Sequence, residues 1–418
     1  MHQEPLISGS QASSPSTSNP SRCYAVDWLR VLALFSVFLL HNLRFFDFIP
    51  WHVKNAEQSE LVMQIVLFRI TWGMPLLFLV AGAASAWAAQ RRSASQLLTA
   101  RLWRLGLPFL FGTLILIPPQ RWIEARHHAG FNGSLGEFLH TELQRLGDAD
   151  LGLTPMWFGF LGHHLWFLGF LLLYGLLATP LLALLTTRGS WLVQTLAGLA
   201  SRRGGILWLV MPLFLTQIVL VPHFPRYLDW ADFCRYLLFF TFGYLFTLDR
   251  RFFEAAKRDI GPVLALGLVA LGFQLWAALA ADSMRGWMAA PGSAPGWALF
   301  QLWIAVSSFA WPMFFLGLAL RYLDRGSRTL DSLNEAALPF YALHQTVILA
   351  IGLFVVRFEA SIFGKFSLIT LMSLVTIAAI YETIIRHSPI LRRLFGMKPL
   401  KHQKPSHALP LGQVAESP

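Results

Sequence analysis

Three ionisable residues stand along the first apolar run, where a helix facing lipid would carry none: Asp27, Arg30 and His41. Arg30 lies three positions after Asp27, and His41 eleven after Arg30; at 100° per residue, eleven steps return to within about 20° of the start. One helical stripe therefore carries all three. Asp27 and Arg30 sit at pairing distance near one mouth, and His41 lies roughly 16 Å deeper at 1.5 Å per residue. An arginine at the mouth and an imidazole in the interior suit a tunnel that admits an anionic donor from one side and transfers a proton at its far end. The structural alternative is a buried ion pair plus a histidine bonded to a neighbouring helix. Ionisable groups inside a membrane are costly to bury and mark function by default, which favours the tunnel.

Four further places interrupt the apolar pattern. In QRRSASQLLTARLWRLGLPF, Arg101 and Arg104 are one helical turn apart just before an apolar helix. Arginine forks match phosphate oxygens, although an ordinary positive-inside cluster reads the same way and is the better account from these residues alone. GHHLWFLGF places His163, His164 and Trp166 in an apolar run. Trp166 reads as an interfacial anchor, and adjacent histidines point apart on a helix, so at most one of them lines a cavity with His41. Tyr341 and His344 share a face, and Glu382 and Arg386 form an i, i+4 pair; each suits either a site or glue between helices.

The elements that must position these groups are membrane helices. Of 418 residues, 55% are hydrophobic and 13% charged, far from the roughly 25% charged content of soluble domains. The net charge of +11 does not indicate nucleic-acid binding, because the basic residues stand between long apolar runs instead of along one polar surface. Two cysteines make no disulfide framework, and no Cys/His spacing resembles a zinc site. Runs of about twenty apolar residues predict helices near 28 to 46, 61 to 89, 105 to 118, 157 to 183, 205 to 222, 232 to 248, 261 to 281, 297 to 320, 335 to 356 and 367 to 385. The fold class is thus an all-α, polytopic integral membrane bundle of about ten helices. Pro75, Pro108, Pro180 and Pro312 mark kinks, not ends. Twenty Lys and Arg fall in the connections on the side of the termini against seven on the other, which places both termini in the cytoplasm. The Ser- and Pro-rich start has no cleavable signal core and reads as a disordered tail. The longest opposite connection, 119 to 156, reads as an outer cap or interfacial loop.

DWLR followed by the histidine, with ten residues between Arg30 and His41, resembles the acyltransferase-3 family of polytopic membrane enzymes. HNLRFFDFIPWHVKNAE, RLWRLGLPF, GHHLWFL, YALHQ and YETIIRHSPILRRLFGMKP are similar, in order, to the branch that succinylates osmoregulated periplasmic glucans. That branch has a double histidine and a proline where this chain has His344, Gln345 and Thr346, and its second helix is more polar than GMPLLFLVAG. The resemblance implies a cytoplasmic tail over 1 to 23, a membrane acyltransferase domain over 24 to 399, and a cytoplasmic C-terminal tail over 400 to 418. It implies His41 as the catalytic residue, with Arg30 and Asp27 shaping its surroundings. Arg101 and Arg104 then lie near the phosphates of coenzyme A, and His52 and Glu57 on the acceptor side. His164, Trp166, His344 and Glu382 complete the expected substrate site.

The expected activity is a membrane O-acyltransferase in the bacterial inner membrane that moves a succinyl or acetyl group from cytoplasmic acyl-coenzyme A to a hydroxyl of an extracytoplasmic glycan. Its partners are that donor, the glycan and the bilayer; no cofactor or metal is implied, and self-association is left open. A transporter of a glycan or small anion is the alternative, since buried charges and kinked helices serve alternating access as well. It would require related halves with matching helix breaks, and the sequence contains no such symmetry.

Overall fold

The computed structural model describes residues 22–280 and 295–399. The expected N-terminal tail up to residue 21, Arg285 and the C-terminal tail from 400 lie outside the described residues. Every regular element among the described residues is helical.

The chain enters through α1 (Tyr24–Leu43), returns through α2 (Glu60–Ala89), and crosses again in α3 (Ala94–His128), one continuous helix of 35 residues. Two π turns, Leu102–Gly106 and Gly112–Leu116, interrupt the α-helical ladder of α3. The first ends just ahead of Pro108, whose ring nitrogen cannot donate, and the helix passes through it unbroken. A short amphipathic helix, α4 (Leu135–Gly147), starts on a reciprocal cap between Ser134 and Glu137. The backbone N–H of Ser134 holds the Glu137 carboxyl below its usual range. Then come α5 (Trp157–Gly162), α6 (Trp166–Thr186), α7 (Ser190–Ala200), α8 (Val210–Leu220), α9 (Trp230–Leu248), α10 (Arg251–Arg258), α11 (Ile260–Leu279), α12 (Pro295–Tyr322), α13 (Arg328–Val355), α14 (Ile362–Ile380) and α15 (Pro389–Leu394).

Among the described residues, eight helical stretches are long and apolar enough to cross a membrane. At 1.5 Å per residue, a 20-residue helix such as α1 covers the roughly 30 Å of a hydrocarbon core. The chain is an all-α, multi-pass membrane bundle. The two other expected spans are also helical: Gly205–Leu220 is a shorter apolar helix, and α9 carries Asp232 and Arg235, paired at 2.7 Å. The third span is longer than its apolar run, because the arginines before it and the residues after Leu116 continue the same helix. The connection expected from 119 is therefore helical to His128 and helical again over α4.

Gln274 of α11 donates to the Gln64 carbonyl of α2 at 3.0 Å, and among the described helices α2 and α9 pack most closely, at Gly82 and Gly243. A Cβ on either glycine would fall 1.9 Å from a carbonyl oxygen, of Phe240 and Leu79 respectively. Small residues let two backbones touch where lipid supplies no hydrophobic drive for association. Around this contact Phe78, Phe170, Tyr174, Phe239, Phe240 and Phe246 are fully buried, which fixes α2, α6 and α9 as the rigid centre. The arginine-rich ends and the start of α1 lie at one face of the bundle: Arg22 pairs with Asp331 at 2.9 Å, and Arg392 of α15 with Glu335 at 2.6 Å.

Candidate active site

At the arginine-rich face a cavity of about 260 Å³ opens between α1, α2, α3, α6 and α13. Arg30, Arg92, Arg101 and Arg104 line it, and among the described residues no carboxylate does. Asp27 lies behind Arg30, at 3.0 Å, and also takes Arg22 at 2.6 Å. Asn334 accepts from Arg30 at 2.5 Å. Two buried donors in the wall, Arg101 Nε and Asn334 Nδ2, have no acceptor. An unpaired buried donor costs on the order of 1–3 kcal/mol, and with four guanidinium groups around it the cavity offers hydrogen-bond donors and positive charge. Gly175 of α6 leaves room for Arg101, whose guanidinium would lie 1.8 Å from a Cβ there. The cavity extends inward past Phe167 and Leu168 to Tyr341.

One turn beyond Tyr341 is His344, fully enclosed, and against it His41. His41 Nδ1 and His344 Nε2 are 2.7 Å apart, with the rings stacked at a centroid distance of 4.9 Å. The hydrogen positions follow from the partners. His344 Nδ1 faces the carbonyl of Tyr341, which only accepts, so the His344 proton sits on Nδ1 and its Nε2 accepts from His41 Nδ1–H. His41 Nε2 is left with a free lone pair, on a side chain that is only partly buried. Trp51 stacks on His41 at 6.0 Å, and His164 meets both rings edge-on, 6.5 Å from His41 and 5.0 Å from His344. His164 Nε2 donates to the Ala342 carbonyl at 3.3 Å, and its buried Nδ1 has no partner.

A second cluster lies beyond the first, towards the opposite face. His52 Nδ1 donates to Glu124 at 2.6 Å, and its Nε2 accepts from the Gln345 amide at 2.9 Å. His163 stacks on His52 at 5.0 Å and accepts from Arg121 Nε at 2.8 Å; Arg121 in turn pairs with Glu142 of α4 at 2.6 Å. His163 has φ +44°, a left-handed conformation that a residue with a Cβ adopts only when its surroundings hold it there. This break between α5 and α6 sends His163 to the outer cluster and His164 to the inner one. His52, Glu124 and His163 offer ligand atoms within 4.8 Å of one another, the donor set of a metal site, but the present bonds already occupy both nitrogens of His52.

The loop from Arg44 to Ser59 positions Trp51 and His52. Its anchor is Asp47, fully buried, which accepts from Arg44 at 2.6 Å and Lys54 at 2.9 Å. Burial lowers the basicity of Lys54, and Asp47 works against it. His127 accepts from the Lys54 backbone at 3.1 Å, and His128 donates to the Trp51 carbonyl at 2.7 Å, so the end of α3 clamps the loop.

Of the residues singled out from sequence, the structure brings His41, His164 and His344 into one cluster, Arg30, Arg101 and Arg104 around one cavity, and His52 into the second cluster. Three stand apart. Glu57 is exposed and only its backbone carbonyl is bonded, to Asn55. Glu382 pairs with Arg386 at 2.6 Å on the rim of a different cavity. Trp166 packs into the aromatic core against Phe170 and Tyr236. A short motif places a residue near a site without fixing which way its side chain turns. Arg92, Arg121 and Glu124 line the cavity or the second cluster without any motif in the sequence to mark them as site residues. The last two recur with His128 at spacings of three and four, a helical signal hidden by reading that stretch as a loop.

The family described as an acyltransferase domain matches residues 24–384. The chain therefore belongs to the acyltransferase-3 family and is a membrane acyltransferase. No curated protein and no solved structure matches it.

Proposed function

We propose that the protein transfers an acyl group, succinyl or acetyl, from cytoplasmic acyl-coenzyme A to a hydroxyl of an extracytoplasmic glycan such as a periplasmic glucan. In this reading it sits in the bacterial inner membrane with both termini in the cytoplasm. The observation that carries it is the arginine-lined cavity with two unanswered buried donors, leading to Tyr341, beside the histidine pair. Guanidinium groups suit the phosphates and 3′-phosphate of coenzyme A, and the apolar stretch past Phe167 suits its slender pantetheine arm. Arg30 is held ready by Asp27 and Asn334.

At the far end His41 Nε2 meets the thioester carbon. His344 fixes the tautomer that leaves this nitrogen unprotonated, and its Nε2 takes up the positive charge that develops on His41, acting as the carboxylate does in other histidine-based sites. His41 then either withdraws the acceptor's proton or accepts the acyl group itself. General base work of this kind contributes about 10²- to 10⁴-fold.

The test is purified protein given succinyl- or acetyl-coenzyme A with a periplasmic glucan fraction. The expected result is thiol release together with a new ester on the glucan by mass spectrometry. Absence of both, with movement of labelled glycan or anion across proteoliposomes, replaces this reading with transport.

A further inference from the structure

We infer that Glu124 and His52 form a second, acceptor-side base, and that the protein therefore works in two steps, with the acyl group resting on His41 between them. The inference rests on the acyltransfer reading above and decides what that reading left open. A His41 that carries the acyl group on Nε2 has no lone pair left on that nitrogen, while its Nδ1–H is committed to His344. It cannot also deprotonate the alcohol, so a second base has to be found on the acceptor side.

The outer cluster supplies one. His52 Nδ1–H is held by Glu124 at 2.6 Å, so the lone pair is on Nε2, turned towards Gln345 at 2.9 Å. Gln345 is the neighbour of His344 in α13, and Trp51 lies against both His41 and His52, at 6.0 and 5.6 Å. The two imidazoles thus belong to adjoining clusters that share one aromatic wall and one helix. An alcohol displacing the Gln345 amide from His52 Nε2 would sit between them. The neighbourhood is held at a cost: His163, stacked on His52, keeps φ +44°, and Arg121, Glu142 and the loop clamp at His127 and His128 all converge on it. Strain maintained by this many partners is a mark of a working site.

The steps balance. In the first, His41 Nε2 forms a bond to the acyl carbon, the C–S bond breaks, and the electron pair leaves on sulfur as the thiolate of coenzyme A, giving an acyl-imidazolium. In the second, the alcohol oxygen forms the ester C–O bond, its proton passes to His52 Nε2, and the C–N pair returns to His41. The His52 proton then goes to water. Glu124 touches no substrate; it is a positioning residue that sets the His52 tautomer.

The experiment compares two nucleophiles on the full-length protein in detergent: a gluco-oligosaccharide, which needs its proton removed, and hydroxylamine, which attacks as a free amine and does not. His52→Ala and Glu124→Leu, which removes the acceptor for His52 Nδ1–H at similar volume, are each measured for thiol release with succinyl- or acetyl-coenzyme A. The expected result is a fall in sugar acylation of about 10²- to 10⁴-fold, exceeding the fall in hydroxamate formation by at least about tenfold, with the sugar KM far less affected than kcat. Glu124→Asp, which restores the acceptor, should recover part of the sugar rate. Equal falls with both nucleophiles, or none with either, overturn the inference, as does loss of the sugar rate on chelation with restoration by zinc, which would assign the cluster to a metal. A wild-type protein that releases thiol with neither nucleophile removes the acyltransfer reading itself, and this inference with it.

Discussion

Replacing His344 by alanine isolates what the histidine pair contributes. His344 Nε2 accepts from His41 Nδ1 at 2.7 Å, and no second acceptor for that proton is present among the described contacts of His41. With the acceptor gone, His41 Nδ1–H is left in a site where the neighbouring rings of Trp51 and His164 offer it nothing. The bond strengthens as His41 becomes the more positive partner, so removing its acceptor costs the transition state about 1–3 kcal/mol more than the ground state. At about 1.4 kcal/mol per tenfold, this corresponds to a fall in kcat of roughly 5- to 150-fold. Loss of His41 itself should cost more, about 10²- to 10⁴-fold. His344→Gln can present an amide oxygen to the same proton and should retain a rate between alanine and wild type. The assay is thiol release from acyl-coenzyme A by purified protein, with thermal unfolding in detergent as the control for the cavity left by the ring. If His344→Ala turns over at the wild-type rate while still folded, the tautomer argument is refuted. If glutamine and alanine are equally slow, the ring acts by packing and not by accepting the proton.

The remaining expectations concern the donor cavity, the loop and the helix contact. Arg101→Ala together with Arg104→Ala should raise the KM for acyl-coenzyme A by at least about tenfold, with a smaller change in kcat, since charge-assisted bonds are worth about 1.5–3 kcal/mol each; unchanged donor affinity returns both residues to a topological role. Asp47→Ala strands Arg44 and Lys54 in a buried site and should destabilise the outer loop by about 3–5 kcal/mol, read as a lowered melting temperature and as faster proteolysis between Arg44 and Ser59. Gly243→Leu forces a side chain into a position where even a Cβ lies 1.9 Å from the Leu79 carbonyl, and should abolish recovery of folded protein from membranes. Glu57→Ala and Glu382→Ala, which stand outside the clusters, should leave turnover within about twofold of wild type, the ordinary range for surface changes of under about 0.5 kcal/mol.

The sequence determined the class of fold, because the membrane leaves little choice. A run of twenty apolar residues has to satisfy its own backbone as a helix, so α1, α2, α12 and α13 are legible from composition alone. It also placed Arg30 and His41 on one stripe, since helical periodicity fixes angle and depth within a single element. Where the apolar signal weakens, composition no longer marks the helix: α3 continues through Arg121 and Glu124 to His128, held by contacts to a distant loop. Tertiary structure alone decided which residues meet. Nothing local to His41 calls for a partner 303 positions away, and nothing in the pair His163 and His164 says that a positive φ sends one to each cluster. Hydrogen bonds between helices are set by how the bundle packs, through contacts such as Gly82 against α9, and that packing depends on the joint shape of many side chains no single stretch of chain records.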